Sequence, residues 1–138
     1  MILFVNTASA DKIDLALIND RGKILRHRNI PAEYRQSEKL LPAIDKMIGR
    51  NGEKLEGIIA VKGPGSFTAL RIGLTTANVL AFGWGIPAAG VKSGGLDQMI
   101  KNGIRKLKKA KIGQWVMPEY GMEPNITISK ISKISGKP

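Results

Sequence analysis

The feature that most constrains the fold of this chain is a strand, a glycine loop and a helix in direct succession. Residues 57–61 form an uninterrupted apolar run, as is typical of a strand buried on both faces of a parallel sheet. The loop Gly63-Pro64-Gly65-Ser66 follows, and an apolar helical pattern then extends over residues 67–82. Parallel strands need a crossover connection, so this unit predicts an α/β fold.

Flanking patterns complete the predicted order of elements. Residues 2–5 predict a buried strand, and residues 13–17 alternate as a strand with one buried face. A turn at 19–22 and a return strand at 23–30 complete an antiparallel meander. A helix capped by Ser37 is expected to run to residue 48, with Pro42 near its first turn. Further strands are predicted at 86–91 and 112–116, and a third helix at 96–108.

This order predicts one α/β domain over residues 1–117, with the RNase-H-like, actin-like (ASKHA) layer fold. Its mixed sheet would contain the three-stranded antiparallel meander and then parallel βαβα units. Beyond it, Ile-Ser-Lys repeats over 128–135 are of low complexity, so residues 118–138 are expected to end in a basic, mobile tail.

Composition excludes several classes of function. The chain has no Cys and one His, His27, so thiol chemistry is excluded and no zinc or other metal site is expected. No catalytic residues are predicted. The 20 uncharged residues 72–91 are long enough for a membrane span, but the Gly/Pro cluster at 83–87 favours a helix followed by a strand. The first residues do not resemble a signal peptide, so a cytoplasmic location without membrane partners is expected.

Charge is concentrated in the second half of the chain. Residues 1–69 carry 11 Lys/Arg and 8 Asp/Glu, whereas residues 70–138 carry 11 and 3. Such a basic patch attracts the nucleic acid backbone, although no aromatic residue is interleaved for base stacking, and a solvated helix face stays open as the alternative. The candidate RNA contacts are Lys101, Arg105, Lys106, Lys108, Lys109 and Lys111.

The glycine loop has two readings. It lacks the Lys-Ser/Thr pair of a Walker A loop and does not match the dinucleotide fingerprint. An anion could dock at its backbone beside Arg71, or the loop could be a structural turn with Ser66 as helix cap and Arg71 paired to a carboxylate. The residue types alone favour the turn. The loop residues concerned are Gly63, Pro64, Gly65, Ser66, Phe67 and Thr68.

The helix after the loop carries a line of small residues at Ala69, Gly73, Ala77 and Ala81. Small residues spaced by four let another element approach closely. The line could pack on the chain's own sheet, but apolar residues cover more than one face of this helix, so a contact between subunits is also expected. The candidate partner-binding residues are Leu40, Leu41, Ile44, Met47, Ile48, Ala69, Arg71, Gly73, Leu74, Ala77, Leu80 and Ala81.

The longest specific motif supports a resemblance to a known family. Residues 63–73, GPGSFTALRIG, resemble the GPGSFTGLRIG signature of the TsaB (YeaZ) family. Three further segments resemble the family in the same order: V-N-T-A at 5–8, L-L-P at 40–42, and the strand at 86–91. The resemblance covers roughly residues 1–100.

The chain also departs from the family pattern. Asn6 stands where the family has Asp, Gln36 where it commonly has His, and Ala69 where the signature has Gly. Residues 118–120, P-E-Y, resemble the family's C-terminal strap, directly after the third predicted helix. The resemblance therefore implies a shortened form without most of the second domain, ending in this strap and the tail.

The resemblance implies a non-catalytic subunit, an inactive paralogue of the catalytic subunit TsaD, in the synthesis of threonylcarbamoyladenosine beside the tRNA anticodon. It would bind and activate TsaD through its first two helices, work with the ATPase TsaE, and form homodimers in isolation. No cofactor is expected in this chain, and ATP and metal would belong to the partner subunits. Two alternatives stay open: a small ATP-binding or peptidase-like enzyme of the same superfamily, and a tRNA-binding module using residues 101–111.

Overall fold

The computed structural model describes residues 1–120, and the predicted tail lies outside them. The strands are β1 (Ile2–Asn6), β2 (Lys12–Ile18), β3 (Ile24–Pro31), β4 (Gly57–Gly63) and β5 (Ala88–Lys92). The helices are α1 (Gln36–Ile48), α2 (Phe67–Trp84) and α3 (Leu96–Leu107), with a short 3-10 helix at Gly52–Lys54. The predicted order of three strands followed by alternating helices and strands is confirmed.

The five strands form one mixed sheet in the order β3-β2-β1-β4-β5. β2 pairs antiparallel with both β1 and β3, whereas β1, β4 and β5 run parallel. The antiparallel half turns tightly because Asn19 Oδ1 accepts hydrogen bonds from the Arg21 and Lys23 N–H groups, and Gly22 supplies a φ of +88°. The predicted α/β class and the meander are therefore confirmed.

Helices cover both faces of the sheet. One core cluster joins alternate strand residues to α1 and α2, with members Leu3, Leu15, Ile58, Leu40, Ile44, Leu74 and Ala77. The other joins the opposite strand face to α3, with members Ile2, Phe4, Ala16, Ile59, Met99 and Ile100. The prediction of one buried face for β2 is wrong, because α3 also buries Ala16 and Ile18. Burying apolar surface on both faces provides the main stabilisation of the fold.

Element ends differ from the sequence expectations in three places. Ser37 lies inside α1 and caps nothing. The helix is tethered instead by Gln36, whose Nε2 donates to the carbonyls of Ser9 at 3.0 Å and Ala10 at 2.6 Å. Pro42 lies in the second turn and is exposed. Residues 112–116 are irregular rather than a strand, because the Gln114 N–H closes a turn with the Lys111 carbonyl and the Val116 backbone pairs with the Asn78 side chain of α2.

The uncharged run at 72–91 is divided as predicted. α2 ends at Trp84, where Gly85 adopts a left-handed conformation, and β5 begins at Ala88. Among the helices of residues 1–120, none has the length and apolar composition that a membrane crossing requires.

α2 packs tightly on Thr7, the residue that follows β1. Thr7 Oγ1 donates a hydrogen bond to the Ala69 carbonyl at 2.7 Å, in a fully buried position. A Cβ placed on Gly73 would overlap the Thr7 side chain, because the Cβ and Cγ2 atoms of Thr7 would each lie only 2.9 Å from it. Glycine at position 73 is therefore required by close packing within the chain.

We expect Gly73→Ala to destabilise the protein by about 1–3 kcal/mol, because the added methyl group must displace Thr7 or α2. Gly83→Ala is the matched control, since a Cβ at this position of the same helix meets nothing within 4 Å. That substitution should instead stabilise the helix by about 0.5–1 kcal/mol. Urea unfolding of both variants measures the difference, and equal stability would contradict the close contact.

Candidate functional site

The glycine loop is fixed by contacts within the chain. The Ser66 N–H donates to the Ala8 carbonyl at 2.7 Å, and a Cβ on Gly65 would lie 2.5 Å from the same oxygen. Ser93 Oγ donates to the Pro64 carbonyl at 2.7 Å, and the Ser93 N–H donates to the Gly63 carbonyl at 2.9 Å. These contacts favour the structural turn, which joins the end of β4 to the β1–β2 connection.

The structural-turn prediction, in which Ser66 caps α2 and Arg71 pairs with a carboxylate, is wrong for both of these side chains. Ser66 precedes α2 but makes no side-chain cap hydrogen bond. Arg71 is exposed, and within residues 1–120 it forms no ion pair with a carboxylate. Its guanidinium lies 5.7 Å from the centre of the Phe67 ring, which stacks on Tyr120 at 4.4 Å. Arg71 and Phe67 therefore belong to the outer surface of α2.

Most of the predicted partner-binding residues lie in the chain's own interior. Those at or below 5% exposure in the two helices are Leu40, Ile44, Met47, Ile48, Ala69, Leu74, Ala77 and Ala81. Gly73 is buried against Thr7. This corrects the expectation that the line of small residues faces a partner: its small side chains let α2 lie close to the sheet. Only Leu41, Arg71 and the half-buried Leu80 reach the surface.

The exposed surface of α2 is instead formed by a stripe at Phe67, Arg71, Thr75, Val79 and Phe82. Their spacing of three and four residues places them along one side of the helix. Val79 is 54% exposed and Phe82 is 68% exposed. Sequence reasoning missed Val79 and Phe82, although their apolar character outside the buried line was a usable signal. We call this stripe, together with the exposed Leu41 of α1, the outer helix face.

Residues 113–120 include the predicted strap at 118–120, and from here on we call the whole segment the strap. It follows α3 in the chain, passes beside β5 and contacts α2. Asn78 holds it through two buried hydrogen bonds: its Nδ2 donates to the Val116 carbonyl at 3.0 Å, and its Oδ1 accepts from the Val116 N–H at 2.8 Å. Further along, the Glu119 N–H donates to the Lys62 carbonyl at 2.7 Å. The strap therefore bridges α2 and β4.

The predicted basic patch divides between two environments. Lys101, Arg105, Lys108 and Lys111 are exposed on α3 or directly after it. Lys106 and Lys109 line an open cleft beside β5, together with Lys62, Gly90, Trp115 and Met117. We call this the β5 cleft. Sequence reasoning missed both Lys62 and Trp115. Lys62 lies in β4, far from α3 in the chain, and Trp115 lies after α3, outside its helical pattern.

Lys106 is held in an electropositive environment. Its Nζ donates to the Gly90 carbonyl at 3.0 Å. Partial burial lowers the pKa of Lys106, and the neighbouring cations Lys62, Arg105 and Lys92 lower it further, whereas Glu119 raises it. Glu119 is shared, because its carboxylate also lies 3.6 Å from Lys62 Nζ and 3.5 Å from Lys92 Nζ.

The remaining polar candidates have structural contacts. Asn6 Oδ1 accepts a hydrogen bond from the Ala8 N–H at 2.9 Å, so it closes the turn after β1. His27 Nε2 lies 2.6 Å from Asp14 Oδ1 between β2 and β3. Within residues 1–120, no group of three His, Asp or Glu side chains is placed to hold a metal ion.

We expect Asn78→Leu to loosen the strap, because the variant leaves the buried Val116 N–H and carbonyl without partners. The cost should be about 1–3 kcal/mol. Hydrogen exchange at the Val116 amide should accelerate, and urea unfolding should show the loss of stability.

Asn102→Leu is the matched control, since the Asn102 amide oxygen accepts only weak hydrogen bonds of 3.3 and 3.4 Å from Arg105 and Gln98. Equal protection of the Val116 amide in both variants would show that Asn78 does not hold the strap.

Comparison with known proteins identifies relatives that match up to 90% of this chain. A family model described as "TsaD: tRNA N6-adenosine threonylcarbamoyltransferase" matches residues 31–107, more than half of the chain. The chain is 33% identical to the tRNA threonylcarbamoyladenosine biosynthesis protein TsaB of Escherichia coli, over 90% of this chain and 56% of that protein. It is 34% identical to the TsaB protein of Bacillus subtilis, over 58% of this chain and 38% of that protein. The chain thus spans about half the length of the curated relatives it matches, or less.

Solved structures agree with these relatives in fold. YeaZ from Pseudomonas aeruginosa superposes with a TM-score of 0.58 at 24% identity, covering 66% of this chain and 42% of that chain. An uncharacterized protein described as similar to peptidase YeaZ from Pseudomonas aeruginosa gives a TM-score of 0.54 at 27% identity, with the same coverage. The family model, the curated relatives and the shared RNase-H-like fold together show that the chain belongs to the TsaB (YeaZ) family.

Proposed function

We propose that this chain is a non-catalytic subunit of the machinery that makes threonylcarbamoyladenosine in tRNA, and that it binds and activates a TsaD-type catalytic subunit. The observation that carries the proposal is the outer helix face, an exposed apolar stripe on a helix whose other side is already buried. The proposed process, tRNA threonylcarbamoyladenosine biosynthesis, is taken from the names of the TsaB relatives. TsaE-type ATPase and tRNA would join through the larger assembly.

The chemistry of the outer helix face suits a protein partner. Val79 and Phe82 offer apolar area that gains free energy when water is removed. Arg71 adds a guanidinium held over an aromatic ring, and Arg and aromatic residues are enriched among interface residues that dominate binding energy. Two copies of the same face could also pair, so a homodimer in isolation competes for this surface.

Several contacts support a non-catalytic role. Asn6 closes a turn at the end of β1, and the glycine loop is pinned by Ala8 and Ser93. His27 lies on the exposed strand β3 beside Asp14. The TsaB names of the curated relatives do not favour a peptidase-like enzyme. ATP and its metal ion would then be held by the partner subunits.

We expect Phe82→Glu and Val79→Glu each to weaken binding to a TsaD-type subunit by about 30-fold. This loss corresponds to the roughly 2 kcal/mol typical of an interface residue that dominates binding. Both side chains are more than half exposed, so both variants should stay folded. The melting temperature should be unchanged for Val79→Glu and slightly lower for Phe82→Glu, whose carboxylate lies at the negative end of the α2 dipole. Biolayer interferometry with the immobilised catalytic subunit measures the affinity.

Leu25→Glu is the matched control, because Leu25 is an apolar residue of β3 with 46% exposure on the far edge of the sheet. It should bind like the unmodified chain. If Leu25→Glu weakens binding as much as Phe82→Glu, or if neither helix variant does, the outer helix face is not the docking surface.

A further inference from the structure

The β5 cleft combines features that neither the strand nor the basic helix has alone. β5 is one of the two edge strands of the sheet, and the strap passes beside it. Val116 packs so tightly on this strand that a Cβ on Gly90 would lie 2.5 Å from Val116 Cγ1. This contact places the neighbouring Trp115 in the wall of the same cleft as Lys106 and Lys109.

Positive charge in the cleft exceeds the negative charge that faces it. Lys62, Lys106 and Lys109 line the cleft, and Lys92 and Arg105 act on Lys106 from its rim. Within residues 1–120, Glu119 is the carboxylate that acts on Lys106, and it is already within 4 Å of two other lysines. An anion bound here would relieve repulsion among these cations, and a phosphodiester backbone supplies several anions at once.

Trp115 gives the cleft a second chemical property. It is 53% exposed, so a large part of its indole is open to a ligand. Aromatic side chains beside a basic groove are the usual platform on which unpaired bases stack. A duplex keeps its bases in its own stack, so an indole beside lysines suits a nucleic acid whose bases are unpaired. The tRNA process named for the TsaB relatives makes RNA the form to expect here, and in this choice the inference rests on the proposed function.

We propose that the β5 cleft binds RNA at a loop or single-stranded segment, with Lys62, Lys106 and Lys109 contacting phosphates and Trp115 stacking on an unpaired base. None of these four residues belongs to the outer helix face, but Trp115 also borders two hollows beside that face, one with Phe82 and one with Arg71 and Thr75. The two surfaces are therefore adjacent at Trp115. The proposal does not require that the docking of a TsaD-type subunit is correct.

The test uses the full chain carrying Trp84→Phe, so that Trp115 is the remaining tryptophan. The probes are a short RNA hairpin with an unpaired loop, a fully paired RNA duplex of the same length, and AMP. Hairpin binding should quench the fluorescence of Trp115, and the hairpin should bind more tightly than either other probe. In fluorescence anisotropy with the labelled hairpin, Trp115→Ala should weaken binding about tenfold or more.

Lysine variants separate a specific site from general attraction to a chain of high positive charge. Lys109→Ala should weaken hairpin binding and lower the slope of log affinity against log salt by about 0.7–1, as expected for one lost phosphate contact. Lys54→Ala is the matched control, because it removes the same charge from an exposed position in the 3-10 helix Gly52–Lys54, away from the β5 cleft lining. Its salt slope should stay unchanged.

Three results would overturn the proposal. Equal affinity for hairpin and duplex would show that unpaired bases are not read. Quenching by AMP at the same concentration as the hairpin would make the cleft a mononucleotide site. If Trp115→Ala left hairpin affinity unchanged while weakening capture by a TsaD-type subunit, Trp115 would belong to a protein interface. Loss of partner binding in the Val79→Glu variant with hairpin binding intact would leave the RNA site supported, because Val79, unlike Phe82, does not share a hollow with Trp115.

Discussion

The contact between Thr7 and α2 is the constraint on which the arrangement of this chain depends. Thr7 follows β1, the central strand, and its hydroxyl is satisfied by the Ala69 carbonyl in a position that water does not reach. Gly73 lets the helix axis come close enough for this bond. The apolar residues on the near side of α2 then fill the space above the sheet, and the side opposite them is left exposed. The depth at which α2 packs therefore determines which of its residues form the outer helix face.

The close packing of α2 on the sheet also determines the position of the strap. Because α2 lies close to the sheet, Asn78 is positioned to pair with both backbone groups of Val116, and it replaces the ladder partners that an irregular segment lacks. Val116 in turn packs on Gly90, and Glu119 joins β4 through Lys62. These contacts bring Trp115 to the edge of the sheet beside Lys106. The buried Asn78 side chain on α2 thus determines that Trp115 lines the β5 cleft.

The two surfaces differ in the physical force that would drive binding. The outer helix face is apolar with one exposed guanidinium, so its binding energy would come from removal of water and would depend weakly on salt. The β5 cleft is cationic with one indole, so its affinity would come from release of counterions and from stacking, and would fall with salt. The two surfaces are adjacent at Trp115, so a protein and an RNA bound to them would lie side by side on the chain.

The sequence by itself determined the α/β class, the order of elements and the family, since these follow from local periodicity, turn residues and an eleven-residue motif at 63–73. Its prediction failed for the line of small residues, because spacing shows that a close contact exists without showing whether a sheet or a partner makes it. Residues 112–116 have a strand-like pattern, yet the backbone of Val116 pairs with the Asn78 side chain and not with a neighbouring strand. Only the tertiary structure decided the exposed face of α2 and the meeting of Lys62, Lys106 and Trp115, because these depend on contacts between residues far apart in the chain.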